Sequence, residues 1–396
     1  MNGPSLARGT PEDVGLSAAG LDRVRATLQS QIDSGKAPTA AIVVARRGTI
    51  VMAEGFGTLK PGGPPTTVDH LFPLASGTKP LTAATLLSLA EDGLLGLNDS
   101  ALSYLPELDR GQPDPPNLTD LLTHTAGLDS DVIESNRAAL LEAGRFDVPE
   151  GRDLLSHILL EPVLSAPFAR SPGALMVYEN ANYSLVGEVI RRVTGQTLHD
   201  VMTERIFHPL NLERSAVIVP EELKASVIER PEGLPYTQSS SDVLVLQGDL
   251  FADCDDGGVG VHMSAMDMAV FCQMILNGGA YGDTRVLSKA AVQTMVTNRV
   301  PGVPSDAFGL KRPEANWGYG FWIGDLGPPF AYAGGGLRRQ GVIRHAGAGG
   351  IWTWIDPAEQ IVGVVFEVVT EATVDHIPTS WATHRIEDMV AAAVID

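Results

Sequence analysis

A serine and a lysine three positions apart, in Ser76-Gly77-Thr78-Lys79, stand immediately before Pro80 and the helical run Leu81 to Ala90. Residues three apart share a helix face and proline suits a first turn, so the spacing predicts both side chains on one face of a helix N-terminus. A serine hydroxyl is a weak nucleophile until a base removes its proton, and a helix N-terminus favours the anion that develops. Lysine fits in two ways: desolvated, it is itself a base; charged, it lowers the proton affinity of a neighbouring phenol. Such a phenol is available at Tyr178, in Tyr178-Glu179-Asn180, which follows Ser171-Pro172-Gly173 and precedes Ala181-Asn182-Tyr183. A third element is His345-Ala346-Gly347, beside a predicted strand edge and followed by Ala348, where glycine would let a substrate come close to the backbone. Taken singly, the three also fit a solvated helix start, a packed aromatic and a strand end with a surface histidine.

The elements that must position these residues are readable in outline. Ser17 can cap a helix that carries Leu21, Val24, Leu28 and Ile32 on one face and ends at Gly35. Thr39 to Ala45 and Thr49 to Ala53, separated by Arg46, Arg47 and Gly48, predict a hairpin with a short turn. Near the other end, Val342 to His345, Ile351 to Ile355 and Ile361 to Val369 predict three consecutive strands, broken by Gly347 to Gly350 and by Asp356-Pro357. Thr379 to Val394, with Trp381, Ile386, Met389 and Val390, predicts a closing helix over one sheet face. Between the ends, Leu81 to Met202 has helical or irregular periodicity, with Pro106, Pro113, Pro115, Pro116, Pro149, Pro162, Pro167 and Pro172 expected to mark loops. Arg230 to Gly260 reads as a long loop bordering a site.

Composition narrows the function classes. The chain has 396 residues, 44% of them hydrophobic, and a mean hydropathy of +0.07, which suits a globular protein with a large core. Acidic residues outnumber basic ones by 48 to 28, for a net charge of -20, and such a field repels nucleic acid and anionic lipid. Cys254 and Cys272 are too few for a disulfide framework and have no zinc-ligand spacing around them, so both are expected to be reduced structural thiols. Met1 to Val14 lacks the apolar stretch of a signal peptide and no later run reaches membrane-span length, which predicts a cytoplasmic protein with no membrane partner. G-x-S-x-G, H-E-x-x-H and a dinucleotide fingerprint are all missing, so neither metal nor cofactor is expected.

In their order along the chain, Ser76-Gly77-Thr78-Lys79, Tyr178-Glu179-Asn180 and His345-Ala346-Gly347 resemble the three signature motifs of the penicillin-recognising serine hydrolases, the class C β-lactamase-like superfamily. Leu121-Leu122-Thr123-His124-Thr125-Ala126-Gly127-Leu128, Ile206-Phe207-His208-Pro209-Leu210 and Pro11-Glu12-Asp13-Val14-Gly15-Leu16 are similar to connecting phrases of the same group. The likeness covers nearly the whole chain. It implies an α/β (α+β) fold, an antiparallel sheet flanked by helices with an all-helical domain inserted: residues 1–80 and 250–396 form the sheet domain, and 81–249 the mainly helical one. By the same resemblance Ser76 attacks a carbonyl and becomes acylated, Lys79 hydrogen-bonds Ser76 and Tyr178, and Tyr178 shuttles the proton. Asn180 orients Lys79 or the substrate, while the backbone N–H groups of Ser76 and Ala348 form the oxyanion hole, each donor typically worth about 3 to 4 kcal/mol. Tyrosine, with a pKa of about 10, needs a shift of about three units, about 4 kcal/mol, to act as a base at neutral pH. Whether Lys79 or Tyr178 is that base stays open.

One departure directs the functional expectation. Class C β-lactamases carry lysine at the first position of the third motif, where it helps bind the substrate carboxylate; here the position holds His345. Strong β-lactamase activity is therefore not expected, but histidine also occurs here in D,D-peptidase-like and D-aminopeptidase-like relatives. It is the missing signal peptide that then points the resemblance to a carboxylesterase like those of bacterial family VIII, acting on a small-molecule ester or amide. A D-aminopeptidase-like or weak β-lactamase amide hydrolase, an acyltransferase and a non-catalytic acyl-binding sensor are the alternatives.

Overall fold

The computed structural model describes residues 5–144, 146–229, 249–324, 336–337, 339–368 and 383–396. Among them a seven-stranded sheet draws its strands from both chain ends: β1 (Ala7–Arg8), β2 (Thr39–Arg46), β3 (Thr49–Gly57), β4 (Trp322–Ile323), β5 (Ile343–Gly347), β6 (Ile351–Asp356) and β7 (Ile361–Glu367). The spatial order is β1-β3-β2-β7-β6-β5-β4. Every neighbouring pair is antiparallel except β1 with β3. The expected first hairpin forms, and its turn residues Arg47 (φ 52°) and Gly48 (φ 78°) both take the left-handed conformation that matches strand twist in a two-residue turn.

The helices that fix the site are α1 (Ala18–Asp33), α2 (Lys79–Glu91), α3 (Asn180–Thr194), α4 (Ala265–Leu276) and α5 (Thr383–Ala392). Ser17 caps α1 by accepting from the Gly20 N–H, and Leu21, Val24 and Leu28 are buried as the helical pattern predicts. Helices α1 and α5 cover one sheet face, packing on Ile42, Val44, Trp352, Trp354 and Val365. On the other face α4 meets β2 and β7 at Val43, Val364 and Phe366. Covered on both sides, β2 and β7 are buried along their whole length, which is why they read as continuous apolar runs. Helix α2 is buried from Lys79 to Leu89 and packs against α3. An apolar helix with no polar stripe has to sit inside the protein.

Two expectations need adjustment. Pro162 does not mark a loop but lies inside the helix Leu154–Leu164. Its missing N–H and its ring cost about 3 kcal/mol in a helix interior, which the buried stripe of Leu155, Ile158, Leu159 and Val163 outweighs. The expected loop from Arg230 to Gly260 is described only from Asp249 onward, and it opens with the short helix Asp249–Ala252. Trp381 and Val369, assigned from the sequence to the closing helix and the last strand, lie outside the described residues. No described helix is long and apolar enough to cross a membrane.

Candidate active site

Ser76 sits in the 3-10 turn Ala75–Thr78 that runs directly into α2. The turn begins with Ala75 at φ 46°, an uncommon conformation for a residue with a side chain and one of the forms of strain found around functional sites. It packs against β5 and β6. The approach is closest at Gly347, where an added Cβ would come within 2.0 Å of the Leu74 carbonyl oxygen. The glycine of the third motif is therefore required by the protein's own backbone, which holds that strand against the Ser76 turn. Ala348 follows, packed with Ala75, and its N–H reaches no acceptor among the described residues.

Lys79 is fully buried, and its Nζ donates to three oxygens: Ser76 Oγ at 3.0 Å, Asn180 Oδ1 at 2.6 Å and the Gly258 carbonyl at 3.0 Å. An ammonium has three donors, so its capacity is filled. The same Nζ lies 5.0 Å from the centroid of the Tyr178 ring, which brings the ammonium and the phenol ring together. Burial pulls Lys79 down to about 7, against the opposing fields of Asp256 and Glu179. Asn180 opens α3, whose N-cap Glu179 accepts from the Ala181 N–H.

His345 is buried at 1% exposure. Its Nδ1 lies 2.7 Å from the Ala346 carbonyl oxygen, so that nitrogen carries the proton, and Nε2 has no partner among the described residues. Burial first, and then the charge of Lys79, pull it down to about 3, which leaves the ring neutral at physiological pH. The four tryptophans near the third motif divide between the two sheet faces. Trp317 and Trp322 pack edge to face, 4.6 Å apart, and both lie against Tyr178, whereas Trp352 and Trp354 belong to the opposite face.

The buried serine and lysine and the half-buried asparagine, with a tyrosine ring over the ammonium, stand where the motifs converge, and the family model described as Beta-lactamase matches residues 24–376. The chain belongs to the beta-lactamase family. Among relatives, an Escherichia coli (strain K12) protein named "Putative D-alanyl-D-alanine carboxypeptidase" is 25% identical, with 91% of this chain and 85% of that protein covered. A solved family VIII carboxylesterase superposes with a TM-score of 0.72 at 21% identity, covering 96% of this chain and 99% of that one. A penicillin-binding protein homologue from Caulobacter crescentus gives 0.72 at 19% identity with the same coverage. EstCE1, described as a hydrolase with promiscuous acyltransferase activity, gives 0.69 at 20% identity, again covering 96% and 99%.

In this beta-lactamase-family chain the sequence motifs omit two supports of the site. The first is His124, quoted only as part of a connecting phrase. Its backbone carbonyl accepts from the Val177 N–H at 2.9 Å. Its Nδ1 accepts from the Glu179 N–H at 3.3 Å and faces the Asn182 amide nitrogen at 3.3 Å. Its ring lies 4.6 Å from that of Tyr178, so one residue holds both neighbours of Tyr178 and its ring. Burial keeps His124 neutral, with its pKa well below the usual value. The second support is the loop at Gly257-Gly258, fastened to α2 by Thr82 Oγ1, which donates to the Gly257 carbonyl at 2.8 Å, and by Thr78 Oγ1, which accepts from Val261 N–H at 3.0 Å. It falls within the loop that the sequence predicts from Arg230 to Gly260, but nothing in its spacing ties it to Lys79.

Proposed function

We propose that the protein is a serine carboxylesterase in which Lys79 takes the proton of Ser76. The observation that carries this reading is the 3.0 Å contact between Lys79 Nζ and Ser76 Oγ in a site where burial brings the ammonium to about 7, a value suited to a general base near neutrality. Ser76 Oγ attacks the ester carbonyl carbon while its proton passes to Lys79. The oxyanion is received by the backbone N–H groups of Ser76 and Ala348. Lys79 returns the proton to the departing alcohol, leaving Ser76 acylated, and water then reverses the sequence to release the acid. Tyr178, held over Lys79, is the second member of the proton-transfer pair, and Asn180 keeps Lys79 aimed at Ser76. Only unprotonated Lys79 can accept the proton, so kcat/KM rises as pH increases through about 7.

The preference for esters rests on His345. A neutral, buried imidazole offers no positive charge for a substrate carboxylate at the position where lysine would supply one. The name carried by the relatives motivates amide hydrolysis as the alternative. Assays of nitrophenyl acetate and butyrate beside D-alanyl-D-alanine peptides, nitrocefin and alcohol acceptors rank the chemistries, with Ser76→Ala as the control. Ester turnover that vanishes in Ser76→Ala is the expected result; equal rates in the two proteins would remove Ser76 from the mechanism, and faster peptide cleavage would overturn the ester reading.

A further inference from the structure

Lys79 is a buried cation whose three hydrogen-bond acceptors are all uncharged. The fully buried carboxylate behind it is Asp256, at 4% exposure. Asp256 Oδ1 accepts the Gly258 N–H at 2.7 Å, and the carbonyl of the same Gly258 accepts from Lys79 at 3.0 Å. One residue is thus bonded at one end to the carboxylate and at the other to the ammonium. Gly258 has little room beside its neighbours, since a Cβ there would stand 3.1 Å from both Asp256 Oδ1 and the Asn180 carbonyl oxygen. Ser184, one turn along α3 from Asn180, hydrogen-bonds Asp256 and completes the enclosure.

The groups around this pair are unevenly distributed. Lys79 is faced by Glu179 and Asp256, by the rings of Tyr178 and Tyr183, and by the neutral imidazoles of His124 and His345. Asp256 is faced on its other side by Asp153, Asp255 and the Cys254 thiol, with Arg152, Glu188 and Arg191 bordering the same small cleft. Asp153 and Asp255 have structural tasks. Asp153 caps the helix Leu154–Leu164 and also accepts from the Asp255 N–H, while Asp255 accepts from the N–H groups of Leu198 and His199. Three carboxylates crowded this closely repel one another, and burial adds to the cost of their charge.

We propose that Asp256 is a positioning residue that sets when Lys79 holds its proton, fixing Gly258 against the ammonium and supplying the negative charge that keeps the ammonium from discharging at lower pH. This rests on Lys79 being the group that accepts the Ser76 proton. Asp256→Asn keeps an oxygen for the Gly258 N–H and removes the charge. A cation that loses a close anion releases its proton more readily, so the limb of the pH profile moves about one to two units toward lower pH.

The test follows two rates across pH 5 to 9 in wild type and Asp256→Asn: hydrolysis of nitrophenyl butyrate, and labelling of Ser76 by a fluorophosphonate read by mass spectrometry. The second rate needs no natural substrate. The expected result is an acid limb displaced to lower pH in both assays, KM for the ester within about twofold, and a Tm equal to or above wild type because one of three crowded carboxylates is gone. A merely structural role would lower Tm and leave the limb in place. Asp256→Ser, also able to accept from Gly258, gives the same reading if the asparagine variant folds poorly. Limbs that coincide in variant and wild type, or a wild-type labelling profile flat over the whole range, overturn the proposal. Labelling whose limb moves without any ester turnover instead refutes the ester reading and leaves the role of Asp256 standing.

Discussion

Arg344 and His345 are neighbours on β5, and strand alternation sends them to opposite faces of the sheet, where they meet two very different polar environments. On the back face Arg344 pairs with Glu387 of α5, its Nε at 2.7 and 3.0 Å and its Nη2 at 2.5 Å from the carboxylate oxygens. Nη1 donates to the Val342 carbonyl and Trp352 Nε1 adds a bond to Glu387 Oε2 at 3.2 Å, so this buried cluster uses both of its carboxylate oxygens. On the front face His345 leaves Nε2 without a partner among the described residues, and so does His124 across the same aromatic enclosure. A buried polar atom left unpaired costs about 1 to 3 kcal/mol. Natural proteins accept that cost chiefly where the group has a task other than cohesion. The back cluster fastens α5 to the sheet, and the front one keeps hydrogen-bonding capacity beside Ser76 and Lys79.

The comparison is broken most severely by removing Lys79. Lys79→Met should lower kcat about 10² to 10⁴-fold, the range expected for loss of proton transfer. Its Tm should fall as well, because Asn180 Oδ1 and the Gly258 carbonyl lose their donor and buried Asp256 loses its counter-charge. Steady-state kinetics and calorimetry on one preparation check both halves, and a kcat per folded molecule near wild type would make Lys79 a structural residue. The back face should answer in stability alone. Glu387→Gln leaves the Arg344 guanidinium buried without its counter-charge, at a cost of about 3 to 5 kcal/mol in denaturant unfolding, while kcat per folded molecule stays near wild type. A Glu387→Gln protein with normal stability and impaired turnover would erase the distinction between the faces.

The front face was legible in the sequence because its chemistry lies in short strings of uncommon composition, and the back face was not. Arg344 and Glu387 are 43 positions apart, and each reads as an ordinary surface charge until the fold buries them together. Trp352 and Trp354 were within reach of sequence reasoning: two residues apart on a strand, they must share a face, and it is the face away from Ser76. The hairpin at Arg47-Gly48 and the Ser17 cap were readable since turn and cap preferences are local. His124 acts instead through bonds to the backbone on either side of Tyr178, and Asp256 through the N–H of Gly258, outside every motif; such contacts leave no periodic trace. Gly347 was read as space for a substrate, whereas the neighbour it admits is Leu74.

The smallest expected effect is the most discriminating one within the front face. His124 stands at φ 58°, a conformation that asparagine tolerates and phenylalanine adopts only with strain. His124→Phe keeps an aromatic ring beside Tyr178 and the carbonyl that holds Val177, but it removes the acceptor for the Glu179 N–H. His124→Asn does the reverse, offering an amide oxygen near that N–H and removing the ring. Because Nδ1 receives the Glu179 N–H, it must carry a lone pair; the depressed pKa of His124 secures that form, and no limb of the activity profile near neutrality should belong to it. If the ring orients Tyr178, His124→Asn should lose about tenfold in kcat, the equivalent of about 1.4 kcal/mol, with full labelling of Ser76. If the bond to Glu179 matters more, His124→Phe should carry that loss, and its Tm should fall by the cost of an unpaired N–H at the start of α3. Wild-type kcat in both variants would mean that the front face, like the back, is held together by packing alone.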